Sequence, residues 1–397
     1  MRHARSTQRN GLKTTGLVAT RREDSAGNQR EGIGLEMKSY CKGLVMDRAH
    51  IARAYEGWCH AKAGHKNAWR VPKEHGSAEA LIDELAREID GRCLSLRPIK
   101  RYQHKEPTNG KIRTIGIESV KQQVLDYAIV LALEPMLVAK IGYWQVAGVK
   151  GKGQMACKHA MRKWVHEGGY HVKLDIKQCY PSISHKVVRD IMRKYVRSTD
   201  VLYCVDAILD TYDMGGLEIG SYFRLQMANL VISFGYHHLE DLGKYRRGKW
   251  VPLITHQLWH MDDGLIMAKD KRNLKMAVRS LVRYMHDAFG LDFKPWKVAP
   301  TDEIEPLDMG GFVVREGRCT LRSPIFKRAK RAFARFRKRH TLRLAYRVIS
   351  YWGWLTNSDS DGFILRNGLN RLFRIARGIV SRAGRTEQCT TLRVLPS

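Results

Sequence analysis

The run LWHMDDGLIMAKD, residues 258–270, sets apolar stretches on both sides of His260, Met261, Asp262 and Asp263. Two apolar flanks around a short polar step favour a β-hairpin, because each flank can pair with the other and bury its side chains. Both acids then belong at the tip. Upstream, HVKLDIKQCYPSIS (171–184) reads as a strand that delivers Asp175 at its end, with Tyr180 close behind and Pro181 turning the chain into a helix from about Ser184. Between these segments, GGLEIGSYFRLQMANL (215–230) puts Gly215, Gly216 and Gly220 ahead of a helix that carries Asn229.

An Asp pair in a turn is weak evidence alone, since Asp is common there. The ordered set says more: an apolar strand ending in Asp, a Gly turn, then an apolar hairpin carrying Asp-Asp. Nucleotidyl transfer needs two divalent ions about 3.5–4 Å apart, one activating a hydroxyl and one neutralising the leaving pyrophosphate. Magnesium is hard and takes oxygen ligands from separate segments. Asp175 and Asp262 suit that need, and the backbone carbonyl of Ile176 offers a further oxygen.

Working outward, residues 97–118 read as two short strands joined by a turn at Thr108, Asn109 and Gly110, and residues 122–137 as a long helix. From Ser39 to about Asp90 apolar residues such as Leu81, Leu85 and Ile89 keep helical spacing. After the Gly-containing loop VAGVKGKGQ (146–154), strands and helices alternate to about Val314, which predicts an α/β core. Beyond Arg322 the run 323–348 holds no acid, while Ile325, Ala329, Phe333 and Phe336 form a helical stripe, so a separate basic helical unit begins there.

Lys and Arg number 70 against 39 Asp and Glu, a formal charge of +31. A field of that sign attracts polyanions, nucleic acid first and an acidic membrane second. No stretch reaches the roughly 18–20 consecutive apolar residues of a bilayer span, and the N-terminus has no apolar signal core, so a soluble cytoplasmic protein without a membrane partner is expected. Residues 1–36 are polar and basic and read as a flexible arm, with an organellar transit peptide as the lesser reading. The eight cysteines form no C-x-x-C pair, which argues against a zinc ribbon or disulfide framework.

Taken in order, the three acidic and Gly-rich segments resemble motifs A, B and C of reverse transcriptases, and the likeness extends over roughly residues 95–360. GKIRTIGIE (110–118) resembles the fingers strands, which casts Lys111 and Arg113 as ligands of the incoming triphosphate. GLDFKPWKV (290–298) resembles motif D, where Lys297, or failing that Lys294, protonates pyrophosphate. LDMGGFVV (307–314) resembles the primer grip, with Gly310 and Gly311 allowing close backbone approach.

By this resemblance the fold is a right hand. Fingers with N-terminal helices occupy 37–170, a palm of antiparallel sheet and helices 171–320, and a basic helical thumb 321–397, with Arg335, Lys338 and Arg339 on nucleic-acid phosphates. Asp175, Ile176, Asp262 and Asp263 hold two Mg2+ ions, with Mn2+ as the alternative. Tyr180 lies beneath the sugar of the incoming dNTP, and Ile219 and Gly220 lie beside the nascent base pair. The implied partners are an RNA template, a DNA or RNA primer, dNTPs and a small basic accessory protein.

GLEIGSYF (216–223) and SYWGWLTNSDS (350–360) look closest to diversity-generating retroelement enzymes of bacteria and phages. Ile219 stands where many relatives have Gln, which predicts an error-prone enzyme. Arg224 and Leu225 replace the usual Ser-Gln, and His260 the usual aromatic. Phage defence with a dedicated non-coding RNA, and an RNA-binding maturase with a vestigial palm, are the alternative functions.

Overall fold

In the computed structural model the residues described are 19–20, 39–62, 70–105, 110, 112–212, 215–217 and 220–392. At the centre lies a four-stranded sheet with the spatial order His256–His260, Asp263–Ala268, Tyr170–Asp175, Val298–Pro300. Asp263–Ala268 is buried after its first residue. Its alternate side chains serve two cores. Ile266 and Ala268 pack with Val172 and Leu174 against the helices Tyr222–Asp241 and Lys271–Phe289. Leu265 and Met267 pack with Met161, Trp164, Phe312 and Phe333 on the other side. A strand buried on both faces shows an unbroken apolar run, which is why residues 264–268 carry no polar alternation. Two-sided burial also fixes register, because a one-residue slip would exchange the two faces.

The alternation of strand and helix over 171–314 is carried by antiparallel sheets. Every ladder between strands is antiparallel, so the described fold is mixed α+β. The hairpin at 258–268 dictates this, since a two-residue turn can join only antiparallel neighbours.

Helices Arg48–Ala61 and Ala78–Asp90 pack on Val120–Lys140, as the apolar spacing before Asp90 leads one to expect. Ser119 and Gln122 cap the start of Val120–Lys140 reciprocally. By length and composition this helix would be able to cross a membrane. Here Val124, Leu125, Ala128, Ile129 and Leu133 are sealed in the first core, so it is the protein's central helix. The strands Lys100–Lys105 and Ile112–Ile117 form the expected hairpin and are largely exposed, while Thr108 and Asn109 of its expected turn lie outside the described residues. Of the arm read over residues 1–36 only Ala19–Thr20 is described, as a short strand paired to Leu242–Arg246, and the rest lies outside the described residues.

After a three-stranded sheet of Leu307–Met309, Phe312–Arg315 and Arg318–Leu321 come helices Ser323–Lys338, Leu342–Thr356, Asp361–Arg366 and Leu369–Leu392. Ala329, Phe333 and Phe336 are buried and Ile325 half-buried, so the stripe packs and the Lys and Arg between stand clear of it.

Candidate active site and adjoining basic cleft

Register pairs Asp175 with Asp263, and His260 with Asp263. Residues directly opposed across two strands project to the same face, so the carboxyls of Asp175 and Asp263 share one. Met261 and Asp262 form the turn, and Met261 takes φ 56°. A left-handed conformation costs a non-Gly residue about 1–2 kcal/mol, and tight hairpin turns demand it. The tip therefore carries one acid and not two, because Asp263 already belongs to the descending strand. The Ile176 amide donates to the Asp262 carbonyl at 3.2 Å, tying the end of the Asp175 strand to this turn.

Lys294 holds Asp175 twice. Its amide donates to the Asp175 carbonyl at 2.8 Å, and its ammonium to Oδ2 at 2.5 Å. Oδ1 of Asp175 is buried without a hydrogen-bond partner. Burial raises the carboxyl pKa of Asp262, the charges of Asp263 and Asp175 add to it, and Arg113 opposes them. Burial likewise raises Asp263, against the opposing charges of Lys173 and Arg322. Carboxyls that raise one another's pKa, and an Asp175 oxygen left without a partner, are oxygen donors of the kind a hard divalent cation takes. Among the described residues no group of three His, Cys, Asp or Glu side chains is placed to hold a metal ion. Tyr180 is half-buried nearby, and its hydroxyl pKa is raised by burial and then by the charges of Cys179 and Asp262.

Beside the acids opens a cleft of about 800 Å³. Asp263, His260 and the Gly310–Gly311 turn line it, with Arg322 just ahead of the C-terminal helices and Arg328, Arg331, Arg335 and Arg347 on them. Gly311 has φ 90°, and a Cβ there would come within 2.7 Å of Ile325 Cδ1 and of the Trp354 ring. Asp308 accepts from Arg322 and, at 3.3 Å, from Lys173, bracing this turn against the central sheet.

Several site residues expected from sequence stand elsewhere. Lys297 pairs with Glu305 at 2.7 Å and is 78% exposed, so Lys294 is the lysine brought to the carboxylates. Arg335 lines the cleft, but Lys338 and Arg339 are exposed at the end of their helix and do not. Lys111 and Ile219 lie outside the described residues. Gly220 has φ 132°, and a Cβ on it would meet the Gly116 carbonyl at 2.6 Å, so the Gly turn lies directly against the hairpin that carries Arg113.

Behind that contact is a buried charge cluster, in which Arg224 stands out in the sequence but its partners do not. Arg224 donates to Glu118 Oε1 at 2.6 Å and lies 3.9 Å over the Tyr212 ring. Arg224 Nε and Nη1 and Asp126 Oδ1 have no partner. The sequence signals are Arg224 in place of the usual Ser and its position among the apolar residues of a core helix. Compared with protein-family models and with curated proteins, the chain matches none.

Proposed function

We propose that this chain is an RNA-directed DNA polymerase, a reverse transcriptase with a right-hand arrangement of fingers, palm and thumb. The observation that carries the reading is the cross-strand pair of Asp175 and Asp263 beside a turn holding Asp262, with Asp175 Oδ1 buried and unpartnered. A buried acceptor left unpaired costs about 1–3 kcal/mol. Asp175, Asp262 and Asp263 would hold magnesium or manganese, whose chemistry when bound is to acidify the primer 3′-hydroxyl and neutralise pyrophosphate.

The chain's own side chains do the rest. Arg113, whose charge is felt at Asp262, attracts the incoming triphosphate. Lys294, with its ammonium on Asp175, is the donor for the leaving pyrophosphate, in place of Lys297. Tyr180 bears on the sugar and excludes a 2′-hydroxyl. The Gly310–Gly311 backbone and the cleft arginines hold primer and template by their phosphates. The motif resemblance favours a diversity-generating retroelement as the setting.

Primer extension on an RNA template with dNTPs and Mg2+ tests the proposal. Asp175→Asn and Asp262→Asn should each abolish synthesis while retaining template–primer binding. Template-directed synthesis by either variant at the wild-type rate would refute the assignment.

A further inference from the structure

The hairpin of Leu242–Arg246 and Lys249–Pro252 exposes Tyr245, Arg246, Arg247 and Lys249 at its tip. Tyr245 is 63% exposed and stands edge-on to Trp250 at 5.2 Å. Lys244 in the same hairpin donates to Asn273 Oδ1 at 2.8 Å, which joins the tip to the start of the helix Lys271–Phe289. That helix buries Leu274, Ala277, Val278, Leu281 and Met285. Its opposite side presents Arg272, Lys275, Arg279 and Arg283 in one exposed ridge.

These seven cations have no carboxylate partner among the described residues. Some basic side chains elsewhere are paired: Arg189 with Asp206 and Asp210, Arg193 with Asp206, and Lys121 with Glu84 and Glu88. The acids near the ridge are otherwise engaged or at its edge. Asp270 caps the Asn273 amide at 2.8 Å, Asp292 accepts from His286 at 3.1 Å, and Asp287 stands at the far end. Like charges at (i, i+4) oppose helix formation, so the helix gains nothing from this ridge by itself. The ridge lies on the outer side of the helix that covers the first core, whereas the arginine cleft is built on the second core.

We propose that this rear face binds the phosphate backbone of duplex RNA, as a second nucleic-acid site separate from the cleft. Successive ridge cations lie about 5–6 Å apart along a straight helix, a row that a regular sugar–phosphate backbone can follow. Five of the seven are arginines, whose forked guanidinium engages phosphate in bidentate fashion. Tyr245 at the tip adds a flat surface for a base at a loop or helix end. A membrane is the poorer partner, because the apolar side of the helix is sealed in the core and has nothing to insert. The existence of the site follows from these side chains alone. The choice of RNA over DNA rests on the proposed function, under which the folded remainder of the template molecule is the polyanion at hand.

The test is fluorescence anisotropy of the full chain with a labelled, blunt-ended RNA hairpin that offers no single strand to copy, measured across a salt series. Arg272→Gln, Lys275→Gln, Arg279→Gln and Arg283→Gln together should weaken binding at least about tenfold and flatten the slope of log affinity against log salt by roughly three units. Arg246→Gln with Arg247→Gln and Lys249→Gln should act in the same direction, and extension on an unstructured RNA template should be unchanged in both variants. Unaltered hairpin affinity and slope in both variants would overturn the proposal, as would loss of hairpin binding only on substituting the cleft residues Arg328 and Arg331. Equal or tighter binding of a DNA hairpin of the same sequence would overturn the choice of RNA. Loss of template-directed synthesis with hairpin binding intact would count against the polymerase reading and not against this site.

Discussion

Glu118→Ala is the sharpest perturbation available. The Arg224 side chain is fully buried and that of Glu118 is 3% exposed, with 2.6 Å between their charged atoms. Removing the carboxylate leaves a guanidinium in the interior with an aromatic face beneath it and Asp126 as the remaining acid. Breaking a buried pair on one side costs about 3–5 kcal/mol, because the surviving charge stays desolvated. Native stabilities are about 5–15 kcal/mol, so the loss is a large share of the total. At roughly 2 °C per kcal/mol, the low end for large domains, Tm should fall by about 6–10 °C. The double variant Glu118→Met with Arg224→Met removes both charges and should recover most of that loss, since apolar replacement of a buried pair is often neutral. Differential scanning fluorimetry of wild type, the single variant and the double variant gives the comparison. A fall below about 2 °C in Glu118→Ala, or a double variant no better than the single one, would refute the claim that Glu118 is the principal counter-charge of Arg224.

Other outcomes follow from the same geometry. Lys294→Ala should lower the rate of synthesis by about a hundredfold, as loss of a proton donor does, and Lys297→Ala should leave it nearly unchanged; single-turnover extension decides, and the reverse order would return the role to Lys297. Arg328→Gln, Arg331→Gln and Arg335→Gln together should flatten the salt dependence of template–primer binding by roughly two to three units, whereas Lys338→Gln with Arg339→Gln should not; equal slopes in the two variants would contradict the cleft. Asp126 is fully enclosed, and burial followed by the Glu118 charge raises its pKa well above the ordinary carboxylate range. The folded state then keeps a proton that the unfolded state releases, so wild-type stability falls as pH rises beyond that range. Asp126→Asn removes this dependence, and its Tm relative to wild type should be higher near pH 8 than near pH 4; a difference equal at both values would mean that Asp126 stays ionised when folded.

What could be read from the sequence is what neighbouring residues dictate among themselves. The apolar flanks of 258–268 make a hairpin wherever it is put, the apolar run before Asp175 makes a strand, and Ile325, Ala329, Phe333 and Phe336 can share one side only of a helix. The pairing of the Asp175 strand with Asp263–Ala268, which sets Asp175 opposite Asp263 and next to the Met261–Asp262 turn, is a contact between segments almost ninety residues apart that tertiary packing decided. Register was beyond local pattern too. Which of Asp262 and Asp263 sits in the turn depends on the pairing of His260 with Asp263, and a shift of one residue is invisible to an apolar pattern. Strand direction was within reach, since the hairpin expected at 258–270 can join only antiparallel neighbours. The choice of Lys294 over Lys297 turns on the backbone bridge of Phe293 to Ile176, which brings the residue after it onto Asp175. Arg224 and Glu118, 106 residues apart, meet because two core helices and the end of the exposed hairpin close around them. Local pattern fixes which way each element faces, and only packing of the whole chain decides which distant side chains share an interior with no water to separate them.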